Sequence, residues 1–278
     1  MQHSQVDLVF NIAEGFRGRN REAQIPALLE LLDIPYTGSD PAALSITLGK
    51  GLAKRMVREA GFNTPKYFLM ATGKERIPKD MTFPLIVKPL AEGSSKGVVG
   101  TSVAKNENEL REYGLLLIQK YGQPALVEEF LPGREFTVAL LGERRPRVLP
   151  PMEIRFATKT EFPVYSFEHK QASTSEVEYV TPAELEPTLK AEMERVARGC
   201  FNALGCRDVA RIDFRLNAEG KPYFMECNPL PGLTPGWLDL CLISESAGMD
   251  YRTLIGEILA PAIRRFRQKR RRRVVEAG

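Results

Sequence analysis

Ala210-Arg-Ile-Asp-Phe-Arg-Leu216, Asn217-Ala-Glu-Gly-Lys221 and Tyr223-Phe-Met-Glu-Cys-Asn228 follow one another along the chain, and the fold turns on how they are read. The first run alternates, so Arg211, Asp213 and Arg215 share one strand face while Ile212 and Phe214 take the other. Asn217 to Lys221 is turn chemistry, and the return strand carries Glu226 and Asn228 two apart, hence on one face. If the strands pair, Asp213, Glu226 and Asn228 converge with Arg211 beside them. Three oxygen donors without thiolate or imidazole form a hard-cation set, suited to Mg²⁺ or Mn²⁺ on phosphate oxygens. The same residues also read as a charged, solvent-facing hairpin with cross-strand ion pairs.

Upstream, Phe83-Pro-Leu-Ile-Val-Lys-Pro89 reads as a strand ending on Lys88, followed by the loop Glu92-Gly-Ser-Ser-Lys-Gly97 and a strand over Val98–Val103. Such a loop either brings backbone N–H groups and the hydroxyls of Ser94 and Ser95 to phosphates, or is an ordinary hairpin turn. Walker spacing is absent. Asn106–Lys120 reads as a helix, and Ala125–Phe130, Glu135–Leu141 and Arg147–Ile154 read as strands. The stretch 156–180 carries little periodicity, and a helix is expected over about 182–204. At the start, Val6–Phe10 reads as a buried strand, Ile25–Leu32 as a helix and Ile34–Tyr36 as a short strand. Thr37–Pro41 is a turn, and one helix runs over about 45–60 to Gly61. Alternating strand and helix predict a small, incomplete parallel α/β unit.

Composition narrows the function classes. Eight of the 39 basic residues fall in 264–273, which leaves the body mildly acidic although the formal charge is +4. The basic run reads as a solvated helix end, and neither nucleic acid nor a membrane is expected as a partner. Cys200, Cys206, Cys227 and Cys241 show no metal or CxxC spacing, so reduced thiols and a cytoplasmic location are expected. His3 and His169 have no nucleophile arrangement around them, which speaks against a triad hydrolase. Trp237, in a Pro/Gly-rich loop, either lines a pocket or packs beneath the loop.

Taken in order, these segments resemble the D-alanine–D-alanine ligase family of the ATP-grasp superfamily. The resemblance runs from about Val9 to Leu259. It is carried by Ile34-Pro-Tyr-Thr-Gly-Ser39, Gly49-Lys50, Pro84–Pro89, Gly93–Val98, Val127-Glu-Glu-Phe-Leu131, Gly133–Val138, Gly205-Cys206, Ala210–Phe214, Glu226-Cys-Asn228 and Pro231-Gly-Leu-Thr234.

The resemblance implies an α/β (α+β) ATP-grasp fold: a partial N-terminal α/β unit (1–62), a central lid subdomain (63–134) and a C-terminal subdomain with the metal and substrate site (135–278). It implies that ATP phosphates meet Lys50, Lys88, the closing loop at Ser94 and Ser95, and a lid lysine, Lys170. Glu128, Phe130 and Leu131 border the adenine and Glu135 takes the ribose. Asp213, Glu226 and Asn228 hold Mg²⁺. Arg211, Lys170 and Ser94 are the catalytic residues, Arg211 stabilising the oxyanion. Glu14, Gly232 and Trp237 border the amino-acid substrates. The implied activity is ATP-dependent carboxylate–amine ligation through an acyl-phosphate in a homodimer, with D-alanyl-D-alanine for peptidoglycan precursors as the product; the alternatives are an ATP-grasp ligase for other amino acids or a nucleotide-binding protein without ligase activity.

The sequence departs from the family at the amino-acid pockets. The family's first strand, glycine turn and helix, with a Glu for the first D-alanine, precede the point where this chain starts. Glu14-Gly15 stands for a His-Gly pair, Lys170-Gln171 for Lys-Tyr, and Trp237 for a serine.

Overall fold

The computed structural model describes residues 6–93, 102–157, 161–165 and 176–276, with side chains as far as 269. The N-terminal part supplies helices α1 (Gln24–Leu31), α2 (Pro41–Leu48) and α3 (Lys50–Glu59). Asp40 caps α2 by accepting the Ala43 N–H at 2.9 Å, as an N-cap carboxylate does. The expected single helix over 45–60 is broken at Gly49, whose ψ of 84° is not helical. That break places Lys50 at the start of α3. The expected buried strand over Val6–Phe10 does not form: Val9 makes one parallel bridge to Tyr36, and Val6 is 52% exposed. An apolar run becomes a strand only when neighbours pair with it, and here there is a single short one.

Two antiparallel sheets follow. The first contains β1 (Tyr67–Met70), β2 (Leu85–Pro89), β3 (Val103–Ala104) and, after α4 (Glu107–Tyr121), β4 (Ala125–Glu129), in the order β1-β4-β2-β3. Leu85, Val87, Ala125 and Val127 turn one face onto Leu110 and Leu117 of α4. The opposite face presents Ile86, Lys88 and Glu128. Residues 98–101 of the expected strand lie outside the described residues.

The second sheet contains β5 (Glu135–Gly142), β6 (Arg147–Val148), β7 (Met152–Phe156), β8 (Val177–Val180), β9 (Asp208–Leu216) and β10 (Pro222–Asn228), ordered β10-β9-β5-β7-β8 with β6 on β5. Between β8 and β9 runs α5 (Pro187–Ala203), with Pro187 in its first turn. The expected start near 182 moves to this proline because proline is tolerated where the helix N–H has no partner. After β10 come α6 (Asp239–Ser246) and α7 (Tyr251–Glu276). Phe136, Val138, Ile212 and Phe214 pack against Met193, Ala197 and Phe201 of α5 and against Ala53 and Val57 of α3. Ala139, Leu141 and Val209 on the other face pack under Leu240, Leu254 and Ile258. Strands β1 and β8 are additions to the sequence reading. Among the described residues no helix is long and apolar enough to cross a membrane.

Candidate functional site

All nine residues of β9 are buried, which removes the reading of a solvent-facing hairpin. Pairing sets Asp213 opposite Glu226 and Arg211 opposite Asn228, with a bulge in β10 between Phe224 and Glu226. Asn228 Nδ2 donates to Asp213 Oδ2 at 3.3 Å, and Thr137 Oγ1 donates to Asp213 Oδ1 at 2.7 Å. Arg211 Nη1 lies 2.5 Å from Asp213 Oδ1 and 3.1 Å from Asp239 Oδ2. Burial alone would lower the Arg211 pKa, but Asp213 and then Asp239 outweigh it and hold the guanidinium charged. Glu226 Oε2 sits 3.1 Å from Lys50 Nζ. Among the described residues no three His, Cys, Asp or Glu side chains cluster at metal distance. The two carboxylates fit a hard divalent cation with the Asn228 amide as third oxygen, and Lys50 and Arg211 offset their charge meanwhile.

The break at Gly49 and the end of β2 bring Lys50 and Lys88 to a narrow cleft of about 60 Å³ between the two sheets, walled by Ile86, Phe130, Leu131, Glu135, Asp213 and Glu226 among others. Phe130 stacks edge-on to Phe162 at 5.3 Å, and the Arg215 guanidinium lies 4.6 Å over the Phe130 ring. Glu135 Oε2 pairs with Arg215 Nη1 at 3.3 Å. The expectation for Glu128 changes. Its carboxylate has no exposed surface, and it pairs with Lys54 at 2.6 Å and Lys88 at 2.9 Å. Its neighbour Glu129 lines the cleft in its place. Glu128 shares its sheet face with Ile86 and Lys88, but Lys54 of α3 covers it there, so its carboxylate is enclosed between Lys54 and Lys88 instead of facing the cleft.

A larger cavity of about 590 Å³ opens beside the cleft and shares Lys50, Glu92, Tyr165 and Glu226 with it. Glu14, Gly232 and Trp237 all line it. Trp237 is 43% exposed, so it faces the cavity mouth instead of packing under its loop. A side chain at Gly232 would come within 2.2 Å of Leu238. Ser94, Ser95 and Lys170 lie outside the described residues.

Four wall residues escaped the sequence reading. Tyr165 and Tyr179 meet hydroxyl to hydroxyl at 2.7 Å. Asp239, the first residue of α6, reads from sequence as an ordinary helix-start acid but contacts Arg211. Glu22 has no hydrogen bond or ion pair among the described residues. Burial pushes its carboxyl up to about 7, Arg21 opposing and Glu14 adding to the shift.

Comparison with known proteins gives a consistent result. The family model described as the D-ala D-ala ligase C-terminus matches residues 56–260. An uncharacterized Sinorhizobium fredii protein, y4sG, is 36% identical over 259 residues, covering 93% of this chain and 75% of that protein. The D-alanine–D-alanine ligase of Aquifex aeolicus is 36% identical over 254 residues, covering 91% of this chain and 81% of that enzyme. The crystal structure of the Bacillus anthracis D-alanine–D-alanine ligase complexed with ATP superposes with a TM-score of 0.77 at 25% identity, over 96% of this chain and 82% of that one.

Proposed function

Because the chain belongs to the D-alanine–D-alanine ligase family, we propose that it is an ATP-dependent ligase that joins two amino acids through an acyl-phosphate, with D-alanyl-D-alanine as product. The observation that carries this reading is the convergence of Lys50, Lys88, Asp213 and Glu226 on a cleft that shares Lys50 and Glu226 with the larger cavity, whose wall includes Arg211 and Asn228. In this reading the first sheet is the lid over a nucleotide, and the larger cavity takes the amino acids.

The purine lies between Ile86 and the Phe130–Leu131 segment, with Glu135 toward the ribose. Lys50 and Lys88 face the phosphates, which suits point charges on flexible stems. Asp213, Glu226 and Asn228 would hold Mg²⁺ or Mn²⁺, which when bound supplies Lewis-acid charge withdrawal at the phosphates.

The carboxylate of the first amino acid attacks the γ-phosphorus, the bond to ADP breaks, and ADP leaves with its electron pair. The amine of the second amino acid then attacks the acyl carbon. Arg211, already fixed by Asp213 and Asp239, stabilises the oxyanion that develops there. Phosphate departs, the amine nitrogen loses a proton, and the amide remains. No protein nucleophile is needed, because the chain's work is positioning and charge stabilisation.

The test is phosphate release from Mg-ATP with D-Ala, D-Ser, D-lactate, L-Ala and Gly, singly and in pairs, with products identified by mass spectrometry. Release with D-Ala alone is the expected result. Release only with another acceptor overturns the product while keeping the chemistry, and none with any pair overturns the ligase reading.

A further inference from the structure

Lys54 lines neither cavity and belongs to no motif, yet its side chain is fully buried. Its ammonium lies 2.6 Å from Glu128 Oε1 and donates to Thr64 Oγ1 at 3.2 Å and to the Phe224 carbonyl at 3.3 Å. Thr64 Oγ1 donates to the same carbonyl at 3.1 Å. Oxygens from three separate segments therefore hold this cation in place. The other Glu128 oxygen takes Lys88 at 2.9 Å, and Lys88, 13% exposed, reaches the wall of the cleft.

The buried carboxylate thus has two cations, one walled in and one at the cleft. A buried carboxylate stripped of its only cation is strongly destabilising. Were Lys88 the sole partner of Glu128, it could not turn toward a polyphosphate without leaving that charge uncompensated. Lys54 removes the conflict. Two ammonium groups on one carboxylate also leave a net positive charge beside the cleft.

We propose that Lys54 is a positioning residue of the nucleotide site: it neutralises Glu128 from the core side, so that Lys88 is free to engage the phosphates of ATP. The inference rests on the nucleotide reading of the cleft. Burial lowers the Lys54 pKa to about 8 with Glu128 opposing, so the ammonium is the main form below that pH. Burial opposes the Glu128 charge, but Lys54 first and Lys88 second outweigh it and hold the carboxyl below its usual range. Lys88 is likewise held above the usual lysine range by Glu128, against the effect of burial.

The test is a double-mutant cycle read by calorimetry with Mg-ATP and with adenosine, on wild type, Lys54→Met, Glu128→Gln and the double variant. Lys54→Met is expected to raise the Kd for Mg-ATP about tenfold or more and to spare adenosine, which has no phosphates. In the Glu128→Gln background, where no buried charge needs a second cation, adding Lys54→Met is expected to change the Kd by no more than about twofold.

Equal loss for ATP and adenosine would indicate a distorted cleft and overturn the proposal. So would equal losses of ATP affinity in the two backgrounds, or an unchanged Kd in Lys54→Met. If that variant alone does not fold, the comparison of Glu128→Gln with the double variant decides, and a further loss there overturns the proposal. Wild type that binds no Mg-ATP overturns the nucleotide reading itself, and this inference with it.

Discussion

Glu22 shows how a single cavity residue couples pH to stability. Its carboxyl is raised from an ordinary 4.5 to about 7, chiefly by burial. Between those values the folded chain keeps a proton that the unfolded chain has released, so stability falls as pH rises through the window. Each pKa unit corresponds to about 1.4 kcal/mol; partial solvent access brings the expected loss to about 1–2 kcal/mol. Thermal midpoints at pH 5 and pH 7.5 should therefore converge in Glu22→Gln relative to wild type, and parallel pH curves for the two proteins would remove Glu22 as the cause. An amino-acid ammonium in the cavity would favour the ionised form, so substrate binding near pH 6.5 should release a proton, measurable as buffer-dependent heat. In the adjoining cleft, Asp213→Asn or Glu226→Gln should cut turnover by more than the about 10–100-fold that outer partners of a metal ligand cost. The thermal midpoint should change little, because Arg211 keeps Asp239 and Lys50 keeps the Glu92 carbonyl, so neither cation is stranded. Near-wild-type rates in both would place the metal elsewhere.

At the scale of the elements, the turn from β4 to β5 sets the edge of the narrow cleft. Gly133 packs so tightly on the end of β9 that a Cβ would lie 2.4 Å from the Leu216 carbonyl oxygen, an atom that already accepts the Gly133 N–H at 3.1 Å. Gly133→Ala must therefore move backbone, at about 1–3 kcal/mol, and displace Leu131 and Glu135 with it. The expected signature is a raised KM for ATP with little change in KM for the amino acids. Gly256→Ala on α7, where a Cβ meets nothing within 4 Å, is the control and should be neutral or slightly stabilising. Alternation along β9 was readable because strand periodicity is local: Arg211, Asp213 and Arg215 do share a face. Their burial was not readable, since their partners Phe130, Pro163 and Asp239 come from far along the chain. The same limit explains Val6–Phe10, whose apolar run lacks paired neighbours, and Lys54, a lysine on an amphipathic helix whose partner Glu128 is 74 residues away in the sequence. Asp239 was hidden for a third reason, since an acid at a helix start already has an ordinary explanation.

Across the whole molecule, one arginine ties the N-terminal segment, the large sheet and the last helix together. Arg265 on α7 donates to both oxygens of Asp208, at 2.5 and 2.6 Å, and to the Tyr36 carbonyl at 3.3 Å, and it also pairs with Glu143. Asp208, at the start of β9, is fully buried and accepts the Gly38 N–H at 2.8 Å. Arg207 beside it donates to the Gly38 carbonyl at 2.8 Å and lies 5.1 Å over the Tyr36 ring. Removing the guanidinium leaves Asp208 with one backbone donor in a buried position, so Arg265→Met should cost about 3 kcal/mol, the lower end for a broken buried pair because Arg265 is partly exposed. Denaturant midpoints measure the loss, and Asp208→Asn in the same chain should recover part of it, because the stranded charge is then gone. A loss below about 1 kcal/mol would mean that solvent reaches Asp208 and that other contacts hold the segment. The functional consequence follows from what that segment carries. Residues 36–39 lead back through the Val9–Tyr36 bridge to Glu14 and Glu22 in the larger cavity, whereas Lys54, Lys88 and Glu128 are held independently. Loosening Arg265 should therefore raise KM for the amino acids more than KM for ATP, the reverse of the pattern expected at Gly133.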